Sequence, residues 1–375
     1  MKKKICFIVA SPLTAKAFLL KHFEYLSEYF DIYLVADFEG VDFESSYLKG
    51  TKSISIKRNI TLTDDAAALM SLRKYLKSMH FDAVQTVTPK AGLIGIFAAK
   101  LAGIKVRTHI FTGQVWHTKT GLFKKILKTI DRLIVRAATH ILVDGQSQRQ
   151  FLIKNGIITD KNSAVLGKGS ISGVDTSRFV PDSQIRNKER AELQVANKAV
   201  FLFLGRMNAD KGLLDLAEAF AMHHKKYPES ALVLVGPDEE NITPKIKEIC
   251  KSCIDAVVFY GHTSKPFEVL QAADVFCLPS YREGFGTSII EASLLEIPII
   301  SSDTYGLMET IVEGETGLRH KVGDAIEISQ RMEQMMDPEL RQAMGKNARQ
   351  YVLDNFSAEM ISKEWVAFYK RILKL

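Results

Sequence analysis

The segment Pro279-Ser280-Tyr281-Arg282-Glu283-Gly284-Phe285-Gly286-Thr287-Ser288-Ile289-Ile290-Glu291-Ala292 puts two carboxylates on either side of a glycine-containing turn that opens an amphipathic helix. Gly284 and Gly286 let the backbone approach a ligand closely, and the N–H groups and dipole of a helix N-terminus favour a phosphate oxygen there. Glu291, on the second turn, has the reach to accept from the paired hydroxyls of a ribose. The same residues also read as a turn before a packed helix, with Glu283 a solvated cap. Upstream, Phe201-Leu-Phe-Leu-Gly205-Arg206-Met-Asn-Ala-Asp-Lys211-Gly212 is a buried strand ending in a glycine and two cations five residues apart. Arg grips phosphate oxygens in pairs and Lys acts as a point charge, so Arg206 and Lys211 suit a diphosphate whose negative charge grows as it departs. The alternative is a surface loop with two solvated cations.

Around these loops, short β-branched runs alternate with longer amphipathic ones. Ile5–Ala10, Asp31–Ala36, Ala83–Val87, Val106–Ile110 and Ile141–Val143 read as strands. They are separated by helices expected over 15–29, 66–79, 91–101 and 147–154. A second series of strands at 199–204, 231–235, 257–260, 275–278 and 299–301 alternates with helices at 213–224, 243–252, 264–272 and 287–295, and helical segments follow Ala325. This alternation predicts an α/β fold with two doubly wound parallel sheets. The Gly- and Ser-rich stretch Gly167–Asp175 between them is the expected boundary, and the cleft between two such domains is the expected active site.

The chain has 375 residues, 46% hydrophobic and 25% charged, enough apolar side chains for two cores and too many for a disordered chain. The longest nearly apolar stretch, Ala91–Ile104, is interrupted by Lys100 and is shorter than the roughly 20 residues of a membrane span. Ile5–Ala10 is too short for a signal-peptide core, so a cytoplasmic protein is expected. The four cysteines include one Cys250-x-x-Cys253, which has no second pair at zinc-site spacing. With no H-E-x-x-H, G-x-S-x-G or D-x-D pattern, metal-independent chemistry is expected and no cofactor is called for. Ile289 breaks the dinucleotide G-x-G-x-x-G pattern, and no P-loop occurs.

Residues 1–175 hold 26 Lys and Arg against 14 Asp and Glu, whereas residues 176–375 hold 24 against 29. The N-terminal half therefore suits an anionic partner. Within it, Lys124, Lys128, Arg132 and Arg136 recur at i+4 with Leu122, Phe123, Ile126, Leu127, Ile130, Leu133 and Ile134 on the other faces. That is a basic amphipathic helix, suited to an anionic membrane surface or to core packing with a wet basic side. Trp116, just before it, either dips into that interface or packs against the domain. No aromatic residues interleave with the basic stripe, which argues against nucleic acid.

Gly205-Arg206…Lys211-Gly212 followed by Glu283-x7-Glu291, with Gly-Phe-Gly-Thr between the glutamates, resembles the donor half of the retaining glycosyltransferases of family 4. Val235-Gly236-Pro237, Phe259-Tyr260-Gly261-His262 and Asp274 fit the same pattern. The resemblance is strong over residues 199–320 and weak elsewhere. It implies the GT-B fold, with an acceptor domain at 1–175, a nucleotide-sugar domain at 176–353, and a C-terminal helix at 354–375 packing back on the first domain. It further implies that Arg206 and Lys211 bind the donor diphosphate and Glu283 faces the sugar. Gly286 and Thr287 would hold phosphate by backbone N–H, Glu291 the ribose, and Gly261 and His262 the base, with Gly205, Gly236, Gly284 and Phe285 lining the donor. Arg107-Thr-His109-Ile-Phe111-Thr-Gly113 resembles the family's strand-end histidine motif, which puts His109 near the donor sugar. Where many members have a glycine-rich loop after the first strand, this chain has Ser11-Pro12-Leu13-Thr14-Ala15-Lys16, so Ser11, Thr14 and Lys16 become acceptor candidates. The activity expected is transfer from a UDP-sugar to a polyprenyl diphosphate-linked saccharide of a capsule or O-antigen at the membrane face. A GT-B nucleotide-sugar epimerase and a non-catalytic nucleotide-sugar binder are the alternatives.

Overall fold

In a computed structural model, which describes residues 1–57 and 61–375, the chain divides into two compact units, one of residues 1–173 with 358–375 and the other of residues 174–357. In the first unit the strands are β1 (Lys3–Ile8), β2 (Phe30–Ala36), β3 (Gly50–Ser53), β4 (Ala83–Val87), β5 (Val106–Phe111), β6 (His140–Val143) and β7 (Ser163–Val165). They form one parallel sheet in the order β3-β2-β1-β4-β5-β6-β7. Helices α1 (Pro12–Phe18), α2 (Leu20–Ser27), α3 (Leu62–Met79), α4 (Pro89–Leu101), α5 (Gly121–Ala137) and α6 (Gln146–Lys154) connect them. Ile5, Cys6, Phe7 and Ile8 of β1 are all fully buried because helices cover both faces, which is why the strand reads as a continuous apolar run.

The second unit repeats the plan with β8 (Ala199–Leu204), β9 (Ser230–Val235), β10 (Val257–Gly261), β11 (Val275–Leu278), β12 (Ile299–Ser302) and β13 (Gly317–His320). Their order is β10-β9-β8-β11-β12-β13, again parallel. Its helices are α7 (Ser183–Glu192), α8 (Leu213–Lys226), α9 (Thr243–Ile249), α10 (Pro266–Val269), α11 (Thr287–Leu294), α12 (Ala325–Gln334) and α13 (Pro338–Asn355). The last helix, α14 (Ala358–Leu373), returns to the first unit. There Trp365 and Tyr369 lie fully buried beside Phe7, and His22 Nδ1 meets Ser362 Oγ at 2.8 Å.

Several elements differ from the sequence expectation. The helix expected over 15–29 is two helices, broken where Leu19 leaves helical geometry at φ −122°, ψ −13°. β3 and β7 are edge strands with no fully buried residue, so they carry no apolar signal. α7 is largely polar and is started by Asp182, whose carboxylate accepts from Gln184 N and Ile185 N. The expected division at 353/354 falls inside α13, and the units separate at 357/358 instead.

Candidate active site

The second sheet reverses its strand order between β8 and β11, and the loops beyond the carboxyl ends of those two strands meet there. The Lys211 ammonium pairs with Glu283 Oε1, which also accepts from Ser280 Oγ at 2.8 Å. Both side chains are mostly buried. Two further ties lock the loops: Arg282 donates to Asp210 Oδ2 at 2.8 and 3.2 Å, and Tyr281 N donates to Asp210 O at 2.8 Å. Gly212 turns the first loop into α8 at φ 66°, and a Cβ there would lie 2.1 Å from Pro279 O. The close approach of the two loops therefore requires glycine at this position.

On the neighbouring strands, Gly205 N donates to Val235 O at 2.9 Å and Met207 N to Pro237 O at 2.8 Å, which places the Arg206 loop against the β9 end. Gly236 has φ 139°, and a Cβ on it would stand 1.8 Å from Gly205 O. Arg206 is half-exposed and donates to both oxygens of Glu239 at 3.1 and 3.3 Å. Glu239 has no counterpart in the sequence expectation; it holds the guanidinium that a diphosphate would otherwise claim. Gly261 and His262 are exposed at the β10 end, where Gly261 O accepts from Gly236 N at 2.8 Å. Glu291 lies on the second turn of α11, where burial pushes its carboxyl up to about 7 against the lowering pull of Arg178. Gly205, Arg206, Lys211, Gly236, Gly261, His262, Glu283, Gly284, Gly286, Thr287 and Glu291 thus all lie at or beyond the carboxyl ends of β8 to β11.

Two expectations for this unit change. Gly286 N donates to Gly306 O at 3.2 Å and Thr287 N to Phe285 O at 2.8 Å, so these two N–H groups are already engaged inside the protein rather than open to a phosphate. Phe285 is buried and packs edge-on against Phe356 with centroids 5.3 Å apart, which makes it a core residue. Asp274 receives Arg186 at 2.6 Å, Arg190 at 3.0 Å and Val200 N at 2.8 Å; it precedes β11, at the opposite end of the sheet from the site. These partners hold its carboxyl below the usual range despite burial, in a structural role.

In the first unit, His109 is the fourth residue of β5 rather than a strand-end group. It is 1% exposed, its Nδ1 meets Thr86 Oγ1 at 2.8 Å, and a Cβ on Gly92 would stand 2.3 Å from its ring. Burial drives it down to about 3, so it is a neutral buried imidazole, and its Nε2 has no hydrogen-bond partner among the described residues. Ser11 N-caps α1 by accepting from Leu13 N at 3.3 Å, while Thr14 is partly and Lys16 fully exposed. The basic stripe of α5 is only partly outward. Lys128 donates to Asn155 Oδ1 at 3.0 Å and lies 5.0 Å over the Trp116 ring, and Arg132 donates to Gly156 O at 3.1 Å, both tied to the end of α6. Lys124 is half-buried and Arg136 exposed. Trp116 packs inside, stacked on Phe151, with Nε1 donating to Asp131 Oδ2 at 2.7 Å. What α5 presents to solvent is apolar: Leu122 is 73% exposed, Phe123 51%, Ile126 47% and Leu133 38%.

A family model described as "Glycosyl transferases group 1" matches residues 185–351, which contain the paired loops just described. The chain is also 31% identical over 326 residues to the capsular polysaccharide biosynthesis glycosyltransferase CapM of Staphylococcus aureus, covering 86% of this chain and 85% of that one. The chain belongs to the group 1 glycosyltransferases. This glycosyltransferase is further 27% identical to the Escherichia coli UDP-Gal:alpha-D-GlcNAc-diphosphoundecaprenol alpha-1,3-galactosyltransferase, with 95% of this chain and 94% of that one covered. Its fold matches that of Anabaena Alr3699/HepE, solved in complex with UDP and glucose, at a TM-score of 0.80 with 18% identity, covering 98% and 99% of the two chains. The two parallel-sheet units are those of a GT-B enzyme. No helix among the described residues is long and apolar enough to cross a membrane.

Proposed function

We propose that this glycosyltransferase moves a sugar from a UDP-sugar to a hydroxyl of a polyprenyl diphosphate-linked saccharide in surface polysaccharide synthesis, with retention of configuration and without a metal. The observation that carries the reading is the Lys211–Glu283 pair at the strand reversal of the second sheet, with Arg206 on the same loop as Lys211. Two cations, each held by a carboxylate in the free protein, suit a donor that brings a diphosphate and a sugar together. As the bond between the anomeric carbon and the diphosphate oxygen breaks, Lys211 and Arg206 stabilise the charge on the leaving group. The acceptor oxygen bonds to the anomeric carbon from the same face, and its proton passes to the departing phosphate oxygen. Glu283 orients the sugar and requires no covalent bond to it. The E. coli relative, named for a UDP-sugar donor and a diphosphoundecaprenol-linked acceptor, supports both substrate classes.

The exposed apolar strip of α5, flanked by Lys125 and Arg136, supports peripheral binding to an anionic bilayer, where a lipid-linked acceptor resides. The test is a panel of UDP-sugars in a thermal-shift assay, followed by product analysis of the one that binds. Free UDP with a lengthened lipid-linked glycan is the expected product. An altered sugar nucleotide would instead indicate an epimerase, and no shift with UDP or any UDP-sugar would overturn the reading.

A further inference from the structure

The first sheet has its own strand reversal, between β1 and β4, and Thr88 stands at the carboxyl end of β4. Its backbone is held at φ 73°, ψ 148°, a region that a β-branched residue enters only under strain. Its Oγ1 is buried and has no hydrogen-bond partner among the described residues. Two strands along, Asp144 follows β6. It is 3% exposed, and its Oδ1 is likewise without a partner. The main chain of Asp144 is fully engaged, since its N donates to Gln148 Oε1 at 3.0 Å and its O accepts from Ser170 N at 2.6 Å. Between them the β5 end runs into Gln114, buried, with Oε1 accepting from Gln148 Nε2 at 3.0 Å.

Val87 pairs with Ile110, and Ile110 with Leu142, so Thr88 and Asp144 leave the sheet close to the same level. Two strand spacings separate their backbones by roughly 10 Å.

We propose that Thr88 and Asp144 hold hydroxyls of the acceptor saccharide, with the Gln114–Gln148 pair fixing the rim between them. The assignment rests on the glycosyl-transfer reading above and adds positioning residues to it. Buried polar atoms without partners are uncommon in folded proteins, and two at strand ends of one sheet, with only β5 between them, fit a ligand that supplies the missing bonds. Burial pushes the Asp144 carboxyl up to about 8, so near neutral pH it carries a proton and both donates and accepts. Groups that donate and accept without net charge match sugar hydroxyls. A phosphate would find no cation among Thr88, Gln114, Asp144 and Gln148.

The test uses the full chain, the UDP-sugar identified by the donor panel, and a synthetic N-acetylglucosamine diphospholipid as acceptor. Thr88→Val is nearly isosteric and removes an oxygen that bonds to nothing in the free protein, so its melting temperature should stay at or above the wild-type value. Its KM for the acceptor should rise about tenfold, the loss of one hydrogen bond, while UDP affinity and donor hydrolysis stay unchanged. Asp144→Leu, similar in shape but unable to donate or accept, should behave alike, and Thr88→Ser, which restores the hydroxyl, should recover the wild-type KM. A wild-type enzyme that transfers while Thr88→Val and Asp144→Leu keep its acceptor KM within twofold overturns this assignment alone. A wild-type chain that neither binds nor turns over any UDP-sugar overturns the glycosyl-transfer reading itself.

Discussion

Lys211 and Glu283 lie 72 residues apart in sequence and form an ion pair between the loops that follow β8 and β11, where the strand order of the second sheet reverses. The pair is mostly shielded from water, so neither charge is held by solvent and each fixes the other. Such a pair arrives at the reaction already oriented, which is the condition for electrostatic stabilisation without reorganisation. Removing Lys211 as Lys211→Ala should lower kcat at least about a hundredfold while UDP-sugar binding weakens less. Glu283→Ala should do the same and also leave a mostly buried ammonium unpaired, destabilising the fold by about 3 kcal/mol. A double-mutant cycle of urea melts and turnover checks both, and near-normal transfer by either single variant would remove it from the mechanism.

The approach of the β8 and β9 loops is set by backbone atoms. A Cβ at Gly236 would be 1.8 Å from Gly205 O, at a φ of 139° that L-residues avoid. Gly236→Ala should therefore destabilise by more than about 2 kcal/mol and weaken UDP binding in parallel. Urea denaturation with calorimetric titration of UDP measures the two together. A stable variant with unchanged affinity would show that the loops separate freely.

Membrane binding should depend more on the apolar strip of α5 than on its cations, because Lys128 and Arg132 are tied to the end of α6. Leu122, Phe123 and Ile126 replaced together by Ser should reduce partitioning onto phosphatidylglycerol vesicles more than a hundredfold, at roughly 1–2 kcal/mol per side chain. Replacing Lys124, Lys128, Arg132 and Arg136 by Gln should weaken it less, and high salt should mimic that change. Vesicle sedimentation distinguishes them. Unchanged partitioning in both variants would remove the membrane from the proposal.

Asp131, on the buried face of α5, gives a pH signature. Burial raises its carboxyl to about 6, partly offset by the hydrogen bond from Trp116 Nε1. A raised acid binds its proton more tightly when folded, so its contribution is full below pH 4 and is lost as pH rises from about 4 to 6. Asp131→Asn keeps an acceptor for Trp116 but cannot ionise. Its stability relative to wild type should rise by up to roughly 3 kcal/mol between pH 4 and pH 7. Thermal melts across that range check it, and a flat difference would show that the carboxyl is ionised at no cost.

The cations Arg206 and Lys211 at the donor site lead to the expectation that transfer persists undiminished in excess EDTA. A loss of turnover in EDTA that Mg²⁺ or Mn²⁺ restores would replace that part of the mechanism.

Much of this architecture was legible before any coordinates. β1 and β9 are buried on both faces, so their apolar runs announce them, whereas β3 and β7 at the sheet edge have no such pattern. The loop residues Arg206, Lys211 and Glu283 were legible because charge beside glycine at a strand end is a local signal. Phe285 misled because a side chain's direction depends on what packs against it: Phe356 covers the phenyl ring. Thr88, Gln114 and Asp144 passed unnoticed, since a strained dihedral and an unpartnered oxygen leave no trace in residue type.

Taken by itself, the order of residues determined the alternation of strand and helix, the two doubly wound units and the charged loops at strand ends, because these follow from periodicity and from chemistry within a dozen neighbours. Tertiary structure alone decided which of those groups remain open to a ligand. The N–H of Gly286 is spent on Gly306 and the guanidinium of Arg206 is held by Glu239, partners 20 and 33 residues away that only the folded chain brings within hydrogen-bond reach.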